Sequence, residues 1–480
     1  MYLLAPSGSE RSNLVRSGQM SKEDVGELTR EELIEAVMQL QTIVKQLQHE
    51  NEVLRKKLEQ LQKPPTNSKN SSQPPSLDRK GNRPGDKARK RHGPAKGHEK
   101  HERQFVEHPD HVIELKAEHC VQCQAALENA TGELVAVNQI TELPDSPGEV
   151  IEVRQYAVTC PDCQKTVIEQ PPAGLEMTRR FGSRLEATVV YYRQEQHLSY
   201  QRTQHTLKNL HGVTISQGGI DDIMQRAGQQ ALTKTEAIQS AVQQSAVVNC
   251  DETGCRVNGQ SWWEWVFCTA TDILHVIRFD RSVDVIKAVM GEAQAEVWGS
   301  DCWFAQLKAP AKIWQLCLAH QLRNLQAALE ACPLTTWPRA MQILFRFAIH
   351  LHHQRDQLPS DHFAAQVARI ERHCDRLLQR DLQQHPQAAK LLRRYREHRQ
   401  HLFVFLYRTD VQPTNNVAEQ ALRHSVIHRK VMGSFRSHWG SQAFAALASV
   451  IDTAQLSGIA AFDAILSLFD PSALPLPQTR

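Results

Sequence analysis

Three acids spread along the chain carry the chemistry this sequence offers: Asp251, Asp301 and Glu419. Carboxylates are hard oxygen donors that hold Mg²⁺ through few protein ligands, leaving positions for water and phosphate oxygens. Two such ions, about 3.5–4 Å apart, activate an attacking oxygen and stabilise a leaving one in an in-line displacement at phosphorus. On this reading Asp251 bridges the pair, and Asp301 and Glu419 each complete one ion. Acids are common, so the case depends on elements that would bring these three together.

The elements are legible. SAVVNCDETGCRV, SWWEWVFCTATD and ILHVIRFDR alternate like three strands joined by short turns, SVDVIKAVMGEA reads as a helix, and AEVWGSD as a further strand. Three antiparallel strands, a helix and another strand describe the opening of a ribonuclease-H-like fold. Asp251 ends the first apolar strand and Asp301 the fourth; in such a fold these strands are neighbours. Pro413, Asn415 and Asn416 are helix-start signals that place Glu419 in the first turns of a helix. Alternation points Glu252, beside Asp251, to the opposite face.

A second chemistry lies upstream. Cys120-x-x-Cys123 and Cys160-x-x-Cys163 each let two thiolates address one tetrahedral ion, and together they make a closed Cys₄ set for structural Zn²⁺. The segments around them, ELVAVNQITELP and EVIEVRQYAVTC, alternate like the strands of a zinc ribbon. The other seven of the eleven cysteines are scattered, which suits a reducing cytosol rather than a disulfide framework.

The rest of the chain divides by pattern. After a tail (1–27), residues 28–62 repeat leucine every seven positions, from Leu33 to Leu61, with Val37, Val44, Asn51 and Leu58 on the complementary seam. That predicts a parallel coiled-coil homodimer whose buried Asn fixes register. Residues 63–103 are too rich in Pro, Ser, Gly, Lys and Arg to pack, and read as a flexible basic arm; Lys87, Arg89, Lys90 and Arg91 are its densest cluster and suit DNA phosphates. The ribbon occupies 104–175. Residues 176–243 read as helices, with Gly212 breaking one and Ser216 capping the next in a helix-turn-helix outline. The catalytic core spans 244–430 with a helical insertion at about 333–405, and apolar helices fill 431–480. In CLAHQLRNLQAAL, Cys317, His320 and Arg323 share a helix face; His320 and Arg323 read as groups that support the acids or meet DNA phosphate. Arg423, Arg429 and Lys430 follow Glu419 and suit phosphate binding.

With 480 residues the chain exceeds one ordinary core, and a net charge of +3 says little until its concentration in one linker is noticed. No apolar run is long enough for a transmembrane helix, and the start lacks a secretory n-region, which together point to the cytoplasm, in bacterial terms to the nucleoid.

From about residue 30 to 460 the chain resembles transposases of the insertion sequence 66 family. The matching pieces are the zipper, the NSSQPPS linker, the two CxxC pairs, CDETG around Asp251, SDCW around Asp301, CLAHQLRNL, and PTNNVAEQALR followed by HRK and GS. The resemblance implies a DDE transposase that binds the ends of a mobile element, cleaves DNA with Mg²⁺ and transfers strands into target DNA, with small accessory proteins of the same element as candidate partners. Its catalytic acids fall in the motifs holding Asp251, Asp301 and Glu419. The expected protein is thus a multidomain α/β chain: coiled coil, zinc ribbon, helical DNA-binding region and ribonuclease-H-like core. Two other readings use the same parts: a DNA-binding regulator or inactive relic, and a metal-dependent nuclease that does not rejoin strands.

Overall fold

The computed structural model describes residues 29–62, 70 and 105–470, apart from 120, 128–132, 142, 144–146, 173, 302 and 384. Lys87, Arg89, Lys90, Arg91 and Cys120 lie outside the described residues.

The zipper segment forms one helix, α1 (Arg30–Gln62). Its seam residues Val37, Val44 and Leu47 are about half exposed in the single chain, and Asn51 donates its amide to the Leu47 carbonyl of its own helix at 3.1 Å. In the ribbon region the structure holds one hairpin, β1 (Ala157–Thr159) and β2 (Thr166–Ile168). Among the described residues of 133–156 the expected strands are not formed. Leu134, Val135, Ile140 and Val150 are 80–97% exposed there, because alternation makes a ladder only where a partner strand takes up the backbone.

From Ser183 onward the chain packs densely. Three helices come first: α2 (Ser183–Gln194), α3 (Tyr200–His211) and α4 (Gln217–Gln244). Gly212 ends α3 at φ 65°, a left-handed position glycine occupies without strain, and the Ser216 hydroxyl caps α4 by accepting the Gly219 N–H at 3.0 Å.

A five-stranded mixed sheet follows: β3 (Val247–Val257), β4 (Gln260–Cys268), β5 (Ile273–Arg278), β6 (Ala295–Ser300) and β7 (Ala311–Leu316), in spatial order β5-β4-β3-β6-β7. β3, β4 and β5 are antiparallel; β6 joins β3 in parallel and β7 joins β6 in parallel. This order and these directions are compatible with a ribonuclease-H-like core. The crossover helix α5 (Val283–Met290) buries Val285, Ile286, Val289 and Met290 in the same cluster as α4 residues Ile220, Ile223 and Val242 and strand residues Val248 and Trp298.

On the far side of β7 come α6 (Leu318–Ala331) and the insertion, α7 (Trp337–His353), α8 (Ser360–Leu378) and α9 (Pro386–Glu397), sharing a second core with Val297 and Leu316. The chain then returns as α10 (Asn416–Met432), which lays Ala418, Ala421 and Leu422 on Val266, Cys268 and Ile273. Two apolar helices, α11 (His438–Leu456) and α12 (Ala461–Phe469), close the fold.

An exposed edge strand invites unwanted pairing, and β5 avoids this through α11. Ser449 and Thr453, one turn apart, accept the N–H groups of His275 at 2.8 Å and Ile273 at 3.0 Å. α11 also crosses α4 at Gly228, where an added Cβ would meet the Ala443 Cβ at 2.5 Å and its Cα at 3.3 Å. Gly228→Ala regains about 1 kcal/mol of helix propensity but must push the helices apart. We expect a net loss of about 1–3 kcal/mol by urea denaturation, and an unchanged midpoint would show that the crossing yields freely.

Candidate active site

The parallel ladder places the two aspartates. β3 and β6 pair as far as Asn249 opposite Gly299, so Asp251 and Asp301, each two residues further, come side by side on one face. Asp251 is not at the end of its strand, as the sequence suggested. β3 continues to Val257 against β4, and Asp251 stands where its parallel pairing with β6 runs out.

α10 brings the third acid. Glu419 lies in its first turn, and Asp251 feels its charge. The Asp251 carboxyl is held well above the usual range, first by burial, then by the charges of Asp301 and Glu252, with Glu419 adding to them. One hydrogen bond opposes this, from the Glu252 N–H to Asp251 Oδ1 at 2.9 Å. The three sequence-expected acids therefore converge.

Their partners divide unequally. Glu419 Oε1 accepts from Arg323 at 2.9 Å, and His320 Nδ1 stands 3.5 Å from the same oxygen without a hydrogen bond. Burial, and then Arg323, push the His320 pKa down, so its imidazole is neutral at pH 7 and the contact is not an ion pair. Asp251 has no cationic partner of this kind among the influences on it. A buried carboxylate among like charges is a site that divalent cations relieve, so the donor set suits Mg²⁺.

Cys317, His320 and Glu419 also offer ligand atoms within 4.8 Å of one another. Cys317 is otherwise engaged: burial pushes its thiol up to about 11, and its sulfur accepts the Asn415 N–H at 3.1 Å. We read it as the neutral anchor of the loop before α10.

That loop holds a residue whose role the sequence did not disclose. Asn415 occupies the N-cap of α10 but makes no side-chain cap. Its amide instead donates to the Cys250 carbonyl at 2.8 Å, just past the last β6 partner of β3, tying the Glu419 helix to the strand of Asp251. Asn415→Ala should leave that buried carbonyl unpaired, costing about 1–3 kcal/mol, read as a lower denaturant midpoint. A wild-type midpoint would mean the tie carries no energy.

Arg423 and Lys430 are exposed on α10, Arg423 one turn beyond Glu419, and Arg429 donates to Thr253 Oγ1 of β3 at 3.0 Å. Of the basic residues expected near the acids, Arg323 and Arg429 are thus held by the core. Glu252 faces the other way, as alternation required, into a buried pair with Arg281.

The described cysteines Cys123, Cys160 and Cys163 sit at turns with a common feature. Both turns are followed by a residue in the left-handed region, Gln124 at φ 59° and Gln164 at φ 57°. A bridge between His119 and Ala126 closes the first turn, and the Cys160 N–H bond to the Lys165 carbonyl, 2.9 Å, closes the second. The N–H groups of Cys163 and Asp162 lower the Cys160 thiol pKa by donating to its sulfur, the environment a thiolate ligand needs.

A mixed sheet with one acid on its first strand, a second just past its fourth and a third on a following helix is compatible with a class: proteins built on a ribonuclease-H-like core. Comparison with known families narrows it. The model of the IS66 transposase family matches residues 178–443, and a family of unknown function (DUF6444) matches residues 22–104. The chain belongs to the IS66 transposase family. No curated protein matches it. Among the described residues no helix is long and apolar enough to cross a membrane.

Proposed function

We propose that this transposase cuts DNA at the ends of its element and joins them to target DNA at the site formed by Asp251, Asp301 and Glu419. The observation carrying this reading is the convergence of Asp251 on β3, Asp301 just past its parallel partner β6 and Glu419 on α10, near enough that the other two charges act on Asp251. These three would hold two Mg²⁺ ions, which when bound supply activation of the attacking oxygen and stabilisation of the leaving one. Asp251, which feels the charge of both other acids, would contribute to both ions. Arg323 and His320 orient Glu419 from α6. Arg423, Arg429 and Lys430 offer cationic contacts for the phosphates of a duplex laid along α10, as Lys87, Arg89, Lys90 and Arg91 do from the basic arm. The α3–α4 hairpin is the candidate for reading the element ends.

Two further assignments support assembly on DNA. Cys120, Cys123, Cys160 and Cys163 hold a structural Zn²⁺, a reading that rests on the matching turns and the lowered Cys160 pKa. The half-exposed seam of α1 is covered by a second copy, giving a homodimer able to hold two ends.

The test is strand joining in vitro with pre-cleaved element ends, Mg²⁺ and any companion proteins of the element. Wild-type chain should give joined products, and Asp301→Ala and Glu419→Ala none, with end binding retained in all. Hydrolysis without joining would favour a nuclease; end binding with no chemistry would favour a regulator.

A further inference from the structure

We infer that Glu252 is a positioning residue that holds both catalytic aspartates in register, with Arg281 and Trp303 as its reach to the second. The inference rests on the reading of Asp251 and Asp301 as the ion-binding acids.

The Glu252 side chain has no exposed surface, yet both carboxylate oxygens are used. Oε1 accepts from Arg281 at 2.6 and 2.8 Å, and Oε2 accepts from Gln306 at 2.6 Å. Burying a carboxylate is costly unless every oxygen is met, so this pair fixes the groups that meet it. Arg281 has little freedom of its own: its guanidinium lies over Trp263 at 4.5 Å and over Trp303 at 3.9 Å. A flat, delocalised cation between two indoles is a clamp that lysine cannot reproduce.

Trp303 and Gln306 both belong to the connection between β6 and β7, whose first residue is Asp301. Among its described residues that connection holds a 3₁₀ turn at Gln306–Lys308 and no other regular structure. Its hold on Asp301 is the Trp303 N–H, which donates to Asp301 Oδ1 at 2.8 Å. The Trp303 carbonyl accepts the Leu307 N–H at 3.1 Å, closing the loop on the segment that Gln306 anchors. On the strand side, Glu252 uses its own N–H to hold Asp251 Oδ1 at 2.9 Å. One residue therefore addresses Asp251 through its backbone and Asp301 through its side chain. Two acids that must share ions need such a common reference, since small misplacements weaken a metal site sharply.

The experiment is a Mn²⁺ titration of the full-length chain by electron paramagnetic resonance, without DNA, alongside thermal melting. Wild type is compared with Glu252→Gln, Arg281→Lys, Trp303→Leu and the ligand control Asp301→Ala. Trp303→Leu leaves the buried ion pair intact and serves if Glu252→Gln does not fold. We expect Trp303→Leu and Arg281→Lys each to weaken Mn²⁺ binding by about tenfold or more at an unchanged melting temperature. Their combination should be no weaker than the worse single variant. If these variants bind Mn²⁺ like wild type while Asp301→Ala does not, Glu252 and its partners only pack the fold and the inference fails alone. If Asp301→Ala also binds like wild type, the acids do not hold the ion, and the inference falls with that reading.

Discussion

Asp251→Asn is expected to abolish strand joining and, in the same protein, to raise the melting temperature measured in chelator. The loss of activity should reach about 10³-fold, or about 4 kcal/mol of barrier, because an amide cannot supply the charge shared by both ions. The stability gain follows from the direction of the Asp251 shift. Its carboxyl is raised well above 3.8 in the folded chain by burial and by Asp301, Glu252 and Glu419. The folded state therefore holds that proton more tightly than the unfolded state does. Ion-free stability must then fall as pH climbs from about 3.8 through the folded pKa. Above about 3.8 this carboxyl therefore works against the ion-free fold, and an isosteric amide, which does not ionise, removes that cost. Melting of both proteins from pH 5 to 8 in chelator checks this. A lower melting temperature for Asp251→Asn would mean that the carboxylate is held by partners, contrary to the electrostatics described above.

The second large effect lies outside the acids. His275 is buried on β5 between Glu264 Oε1 at 3.0 Å and Asp452 Oδ2 at 2.9 Å, and Ser425 of α10 donates to the same Glu264 oxygen at 2.5 Å. Burial alone would depress this imidazole, but the hydrogen bonds it donates to Asp452 and Glu264 outweigh it and raise the pKa to about 9. At neutral pH it is a buried cation bonded to two acids and joining β4, β5, α10 and α11. His275→Leu strands both acids and should cost about 3–5 kcal/mol, the penalty for breaking a buried pair. The sign of the pH dependence is fixed by the raised pKa. The contribution is full below about 6.5 and is lost as pH rises to about 9. The opposite slope comes from His428, on α10 itself, and from His197, whose ring lies 5.3 Å from it. Burial first, then neighbouring cationic or imidazole groups, lower His197 to about 4 and His428 to about 3, so their share is lost as pH falls below about 6.5. The combined contribution of these three imidazoles should therefore peak near pH 6.5, and His275→Leu should remove only its alkaline limb. An alkaline limb that survives the substitution would place that titration elsewhere.

Much of this was legible from the residues. Gly212 and Ser216 act through local backbone chemistry, and local chemistry is what a sequence displays; hence the turn and cap lie where expected. The strands around Asp251 and Asp301 announce themselves by alternation, and a helix start by Pro413 and Asn415. β7 escaped notice because AKIWQL is short, follows Pro310 directly and runs into the next helix with no turn signal. The strand expected in ELVAVNQITELP is the opposite case: the segment has the period of a strand but forms none among its described residues, because a period names a face and cannot supply a partner. Asn415 was read as a cap because its type suits one. Only the end of the β3–β6 ladder reveals the carbonyl it serves. Glu252 could be placed on the opposite face by counting, whereas Arg281, Trp303 and Gln306 reach it from distant positions that no local pattern links.

The insertion separates the acids in time as well as in sequence. α7, α8 and α9 lie wholly between Asp301 and Glu419, and share one core with Val297 of β6 and Leu316 of β7. Chains emerge from the ribosome N-terminus first, at about 5–20 residues per second. A nascent chain thus presents Asp251 and Asp301 for seconds before α10 emerges with Glu419. The site proposed for DNA cleavage is therefore incomplete until the whole insertion and α10 have been made.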